Sequence, residues 1–175
     1  MTTQTETNVT TTQVYRVYIK ATPQAIWDAI TRPEWTQRYG YGGLADYNLA
    51  GGPFRIRPDE VMKVEGAANG YDIPEVIVDG EVVEADAPRK LALTWRMLMD
   101  PTMAAEGFTR LTYEIEETPG TPGVCKLTVT HELEGAPQLA FMVAGGMEAE
   151  GAGGGWAFIL SDLKSLLETG DALGR

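Results

Sequence analysis

His131 is the only histidine in the chain, and an unperturbed histidine is the side chain that titrates near neutral pH. Its ring could act as a general acid or base, or could hydrogen bond to a ligand. The alternative is a buried ring whose nitrogens are satisfied by a neighbouring strand or by the last helix. Tyr113 is the second candidate for a proton donor. The catalytic candidates are therefore His131 and Tyr113.

Cys125 is the only cysteine, so an intramolecular disulfide is excluded. Because His131 is also the only histidine, every zinc site that needs two or more Cys or His ligands in addition to His131 is excluded as well. Cys125 and His131 lie six residues apart on one face of a predicted strand, about 20 Å by strand rise, so His131 does not activate the thiol directly. We predict no metal and no cofactor, with an all-carboxylate magnesium or calcium site formally open.

Bulky aromatic and methionine side chains could line a cavity for a flat or flexible apolar ligand. An ordinary core is the alternative, and it is favoured for Trp27 and Trp156, which lie on helical stripes. A place at the mouth of a cavity is favoured for residues beside predicted loops. The predicted ligand-binding residues are Trp35, Tyr39, Tyr41, Trp95, His131, Phe141, Met142 and Trp156.

The charge of the chain excludes several partners. Fourteen Lys and Arg against 25 Asp and Glu give a net charge of -11, which repels phosphate backbones and anionic membranes. We predict no nucleic-acid partner, and no membrane insertion, since no apolar run approaches the ~18 residues of a span. The N-terminus has neither a basic nor an apolar region of a signal peptide, so we predict a cytoplasmic location.

Hydrophobic patterning predicts the elements that position these residues. Residues 1–12 are polar and predict a disordered leader. A β-branched and aromatic run at 13–20 predicts a strand, followed by two short helices that open at Pro23 and Pro33. The stretch from about residue 46 to 133 predicts an antiparallel sheet without a long helical pattern, with 60–71 ambiguous and with clear alternation in 90–99, 108–117 and 125–133. The inner face of the last strand is predicted to carry Cys125, Leu127, Val129, His131 and Leu133.

Apolar residues at helical spacing predict a long C-terminal helix that ends at Gly170, with a frayed end at 171–175. The predicted apolar stripe is Trp156, Ile159, Leu160, Leu163, Leu166 and Leu167, with Asp162 on the polar side. Asp79-Gly80 predicts a bulge in one long strand rather than a hairpin turn. Arg96 could pair with a ligand carboxylate, but we favour solvent or a salt bridge to Glu114.

The stretch IKATPQAIWDAITRPE at 19–34 resembles the opening signature of the SRPBCC (START-like) superfamily. Further similar stretches follow in the same order, at 51–54, 80–82, 86–91, 94–95, 127–132, 155–156 and 160–164. The branch they most resemble is named for homology to the activator of the ninety-kDa heat-shock-protein ATPase. This resemblance implies an α+β helix-grip fold over residues 13–170, in which a curved antiparallel sheet wraps around the long C-terminal helix.

The resemblance also implies a range of functions, because the superfamily includes carriers, polyketide cyclases, self-resistance proteins and co-chaperone domains. Our first hypothesis is binding of a small, largely apolar or aromatic molecule between sheet and helix. The alternatives are a cofactor-independent cyclase, dehydratase or hydrolase, and a chaperone-interacting module. We expect a monomer or homodimer. The segments 59–74 and 100–107 exceed tight turns and could gate the cavity.

Overall fold

The centre of the fold is a seven-stranded antiparallel sheet. The computed structural model describes residues 11–174. The strands are β1 (Thr12–Ile19), β2 (Leu44–Tyr47), β3 (Gly52–Arg57), β4 (Val78–Asp86), β5 (Lys90–Met97), β6 (Thr109–Glu117) and β7 (Cys125–Glu132). Their order across the sheet is β1-β7-β6-β5-β4-β3-β2, so β1 and β2 form its two edges.

Six α-helices complete this part of the chain. They are α1 (Pro23–Thr31), α2 (Pro33–Thr36), α3 (Glu60–Ala68), α4 (Pro101–Ala105), α5 (Pro137–Val143) and α6 (Gly155–Thr169), with a short 3-10 helix at Glu148–Glu150. The Thr22 side chain caps α1 by accepting from the Ala25 N–H at 3.1 Å. The helix α6 ends at Gly170, whose φ of 85° favours glycine. The predicted α+β helix-grip fold is confirmed.

The inner face of the sheet is the face that packs under α6. Its predicted pattern on β7 is confirmed, because Cys125, Leu127, Val129 and His131 are all buried. Register pairs place Val129 between Tyr15 of β1 and Tyr113 of β6. The side chains of α6 that close this core are Trp156, Leu160, Leu163 and Leu166.

Three short helices occupy segments that were not predicted to be helical. The segment 59–74 contains α3, whose first turn is capped by Asp59 accepting from the Met62 N–H at 2.8 Å. The segment 100–107 contains α4, capped by Asp100. Both starts follow the usual preference for aspartate at the residue before a helix. The third is α5, where we had predicted a loop around Phe141.

The strand β4 is continuous, as predicted, but its irregularity lies elsewhere. The register shifts between Val82 and Glu84 rather than at Asp79-Gly80. Gly80 instead permits a close approach, since a Cβ atom there would overlap the Thr94 carbonyl oxygen and the Phe54 ring. This glycine therefore lets the Phe54 side chain lie flat on the inner face.

The two ends of the chain differ from the predicted boundaries. The predicted leader lies outside the described residues, apart from Thr11, which accepts from the Leu133 N–H at 2.6 Å, and Thr12, which begins β1. Residues 171–174, predicted to fray, instead fold back on α6. The Ser165 hydroxyl donates to the Asp171 carbonyl at 2.7 Å, and the Leu173 N–H donates to Asp162.

Candidate functional site

His131 lies at the centre of a hydrogen-bonded chain inside the protein. The Trp156 Nε1–H donates to His131 Nδ1 at 3.2 Å. Because an indole nitrogen only donates, Nδ1 must accept, and the ring proton lies on Nε2. Nε2–H then donates to Thr109 Oγ1 at 2.8 Å, and the Thr109 hydroxyl donates to the Trp95 carbonyl at 2.9 Å. The ring is thus held by both a neighbouring strand and the last helix.

The surroundings of His131 favour the neutral ring. The side chain is 0% exposed, and burial lowers its pKa to about 4. The Trp95 and Trp156 rings approach it edge-on, with centroids at 5.4 and 6.0 Å. A ligand or a reacting group would have to displace one of two hydrogen bonds to reach a ring nitrogen. This arrangement matches the structural interpretation of His131 rather than the catalytic one.

Three tyrosines form a second polar group on the inner side, which we call the phenol cluster: Tyr39, Tyr47 and Tyr113. Tyr113 projects from β6 on the inner face, and its ring lies edge-on to Trp156 at 6.1 Å. Tyr47 projects from β2 and stacks on Phe54 at 5.0 Å. Burial raises the pKa of all three phenols, and the phenols of Tyr39 and Tyr47 raise the pKa of Tyr113 further. The three side chains are half-buried and pack against the core.

The hydroxyls of the phenol cluster differ in their hydrogen bonds. Tyr39 donates to the Ala29 carbonyl at 3.0 Å. The hydroxyls of Tyr47 and Tyr113 have no hydrogen-bond partner within residues 11–174. Over the same range, Thr118 Oγ1 is the only fully buried side-chain oxygen or nitrogen that lacks a partner. The hydroxyl oxygens of Tyr47 and Tyr113 are therefore accessible. The rest of each side chain is buried enough to raise the pKa of the phenol.

The strands of the described residues 11–174 place no Lys or Arg on the inner face. The one carboxylate that their register puts on this face is Glu117, which pairs with Cys125 at the exposed end of β6, beyond Tyr113. Arg96, predicted to face solvent or to pair with Glu114, lies on the outer face but pairs with Asp79 through two hydrogen bonds, at 2.8 and 3.0 Å. Its guanidinium also lies 4.4 Å from the centre of the Phe108 ring.

Asp162 of α6 is a charged residue near the cluster, and it raises the pKa of Tyr39. We predicted Asp162 on the polar side of the helix, which is wrong, since it is 0% exposed. One oxygen accepts from the Gly40 N–H at 2.8 Å and the other from the Leu173 N–H. These amides come from distant parts of the chain and compensate for the loss of water around the carboxylate.

The other predicted ligand-binding residues are dispersed. Trp35 packs partly against the core beneath the Arg38 guanidinium. The Tyr41 hydroxyl accepts from the Gly155 N–H at 3.0 Å, at the start of α6. Met142 packs partly on the core, whereas Phe141 is 59% exposed. Sequence reasoning missed Tyr47, whose only signal is its alternation with Ala45 on a short strand.

Two concavities lie on the surface of the described chain. One, of about 450 Å³, is an open groove between α4, α5 and the loop before α6, with Met103, Phe141 and Met147 among its lining residues. The other, of about 390 Å³, is formed by the turn at 117–124. The segment 100–107 thus borders the first groove. Gating of a ligand site by the segment 100–107 stays a prediction, and so does gating by the segment 59–74.

Residues 11–174 contain no helix that is long and apolar enough to cross a membrane. No group of three His, Cys, Asp or Glu side chains there is arranged to hold a metal ion.

Comparisons with known proteins give a consistent family and fold. Residues 20–168 match the model of the family described as activator of Hsp90 ATPase homolog 1-like protein. No curated protein sequence matches the chain.

Several solved structures share the fold. A Mesorhizobium loti protein is 21% identical, with a TM-score of 0.60 over 89% of this chain and 96% of the other. The Aha1 dimer from Colwellia psychrerythraea is 16% identical, with a TM-score of 0.55 over 91% and 97%. An HSP90 activator from Plasmodium falciparum is 20% identical, with a TM-score of 0.50 over 70% and 73%.

Proposed function

We propose that this chain, which belongs to the family of activator of Hsp90 ATPase homolog 1-like proteins, binds a small, largely apolar or aromatic molecule between the sheet and α6. The observation that carries the proposal is that the accessible hydroxyls of Tyr47 and Tyr113, on a largely apolar face, have no hydrogen-bond partner among residues 11–174. A hydroxyl without a protein partner can donate to a ligand atom, and such a hydrogen bond contributes about 0.5 to 1.5 kcal/mol.

The surroundings of these hydroxyls support an aromatic ligand. Phe54 lies flat against Tyr47, and Trp156 presents its ring to Tyr113. Aromatic walls with a few placed polar groups are typical of small-molecule sites. The ligand would serve a carrier, sensor or self-protection role. The ligand would then pack against a rigid group formed by Trp95, Trp156 and His131. These three side chains would not be its hydrogen-bonding partners.

Binding of a neutral fluorescent probe tests the proposal. N-phenyl-1-naphthylamine is expected to bind the native protein, gain fluorescence, and quench tryptophan emission by energy transfer from Trp156. Titration at constant protein concentration measures the affinity.

Phe141→Ala provides the matched control, because Phe141 lines the surface groove. This variant should bind the probe within twofold of the parent protein. Absence of binding under native conditions, or loss of binding in Phe141→Ala, would contradict a site beneath α6.

Activation of an Hsp90-type ATPase is a second candidate function. The family description favours it, and the exposed Phe141, beside Met103 and Met147, offers an apolar surface for a protein partner. The rate of ATP hydrolysis by such an ATPase, with and without this chain, tests it. Stimulation that Phe141→Ala abolishes would support this second function, and an unchanged rate would count against it. A cytoplasmic location and a monomer or homodimer remain predictions.

A further inference from the structure

We infer that the site beneath α6 selects an uncharged aromatic compound that carries a hydrogen-bond acceptor, such as a carbonyl oxygen, and that Tyr47 and Tyr113 donate to this acceptor. The inference rests on the proposed function and adds the chemical class of the ligand. Two observations support it: the charges near the phenol cluster, and the hydrogen bonds that each hydroxyl of the cluster can still donate or accept.

The hydroxyls of the cluster divide into donors and an acceptor. Tyr39 already donates its proton to the Ala29 carbonyl, so its oxygen is left to accept. Tyr47 and Tyr113 keep their protons free within the described structure. Because burial raises the pKa of both phenols, they remain protonated and able to donate at physiological pH. Two free donors in one cluster match a ligand acceptor atom.

The charges near the cluster disfavour an anionic ligand. Within the described part of the chain, no strand presents an Arg or Lys on the inner face, and Arg96 pairs with Asp79 on the outer face. Asp162, close enough to raise the pKa of Tyr39, would repel a carboxylate. An ion without a partner in such a place loses its hydration without compensation.

A cationic ligand is also disfavoured. Both carboxylate oxygens of Asp162 already accept backbone N–H groups, from Gly40 and Leu173. Asp162 is also fully buried, so a cation could reach it only by rearranging α6 and the chain end that folds back on it. The group that remains suitable for this place is a neutral acceptor.

Three naphthalenes of similar shape test the inference by calorimetric or fluorescence titration: 2-acetylnaphthalene, 2-isopropylnaphthalene and 2-naphthoate. The protein should bind 2-acetylnaphthalene at least tenfold more tightly than 2-naphthoate. Tyr47→Phe and Tyr113→Phe should each weaken binding of 2-acetylnaphthalene about 3- to 10-fold, since one hydrogen bond is lost. Neither variant should change binding of 2-isopropylnaphthalene by more than twofold.

Tyr18→Phe is the matched control, because Tyr18 lies on the outer face of β1 and is exposed. The Tyr47 and Tyr113 variants remove hydroxyls that have no hydrogen-bond partner in the described residues, so they should fold as the parent does. Equal binding of 2-acetylnaphthalene and 2-naphthoate, or equal effects of the variants on 2-acetylnaphthalene and 2-isopropylnaphthalene, overturns the inference and leaves the proposed function standing. Absence of binding by all three compounds overturns both.

Discussion

Replacement of Leu163 by alanine is expected to lower the free energy of unfolding by about 2 to 5 kcal/mol. Leu163 is 1% exposed and lies on the stripe of α6 that packs on the inner face of the sheet. Truncation removes buried apolar surface and leaves a cavity. The helix and the sheet fill this cavity only in part, because many contacts hold them in place. Urea denaturation followed by tryptophan fluorescence measures the change.

Leu173→Ala is the matched control, because Leu173 is 61% exposed and contributes its backbone N–H rather than its side chain to the structure. This substitution should change the free energy of unfolding by less than about 0.5 kcal/mol. A similarly small effect at Leu163 would show that α6 does not pack on the sheet through this stripe.

Acidification is expected to destabilise the protein through His131. Burial holds the folded-state pKa at about 4, below the 6.5 of an unperturbed histidine, so the folded protein favours the neutral ring. The stability that this ring contributes is complete above pH 6.5 and is lost as the pH falls from there towards 4. Linkage gives a loss of about 2 kcal/mol between pH 7.5 and 5.

His131→Gln isolates this effect, because glutamine does not titrate and every carboxylate is common to both proteins. Urea denaturation of both proteins at several pH values between 7.5 and 5 gives the difference in stability. That difference should shrink by about 2 kcal/mol as the pH falls. A difference independent of pH would contradict the buried, neutral histidine.

Most of the fold was predictable because one-sided burial imposes a period on the sequence. Alternation identified β5, β6 and β7, and the stripe that includes Leu163 identified α6. The helices α4 and α5 have only five and seven residues, too few turns for a helical period to stand out. Their starts could have been found only from local signals such as Asp100 before Pro101.

The candidate site was predictable only in part, because its contacts join distant segments. The inward direction of His131 followed from alternation, but its partners Thr109 and Trp156 did not. Asp162 was predicted to face solvent because a lone aspartate on a helix usually does, and the amides that hold it come from Gly40 and Leu173. Tyr47 and Tyr113 lie on strands that are not neighbours in the sheet, yet Tyr47 is near enough to raise the pKa of Tyr113, a proximity that alternation does not encode.

The position of a bound neutral aromatic compound tests the central claim most directly. Intermolecular nuclear Overhauser effects between 2-acetylnaphthalene and the assigned aromatic protons of the protein locate it. We expect contacts to the rings of Tyr47 and Tyr113, which belong to the phenol cluster, and to the ring of Trp156, which lies beside Tyr113. Contacts to Phe141 and Met147 in the surface groove, without any to the phenol cluster, would contradict a ligand site between the sheet and α6.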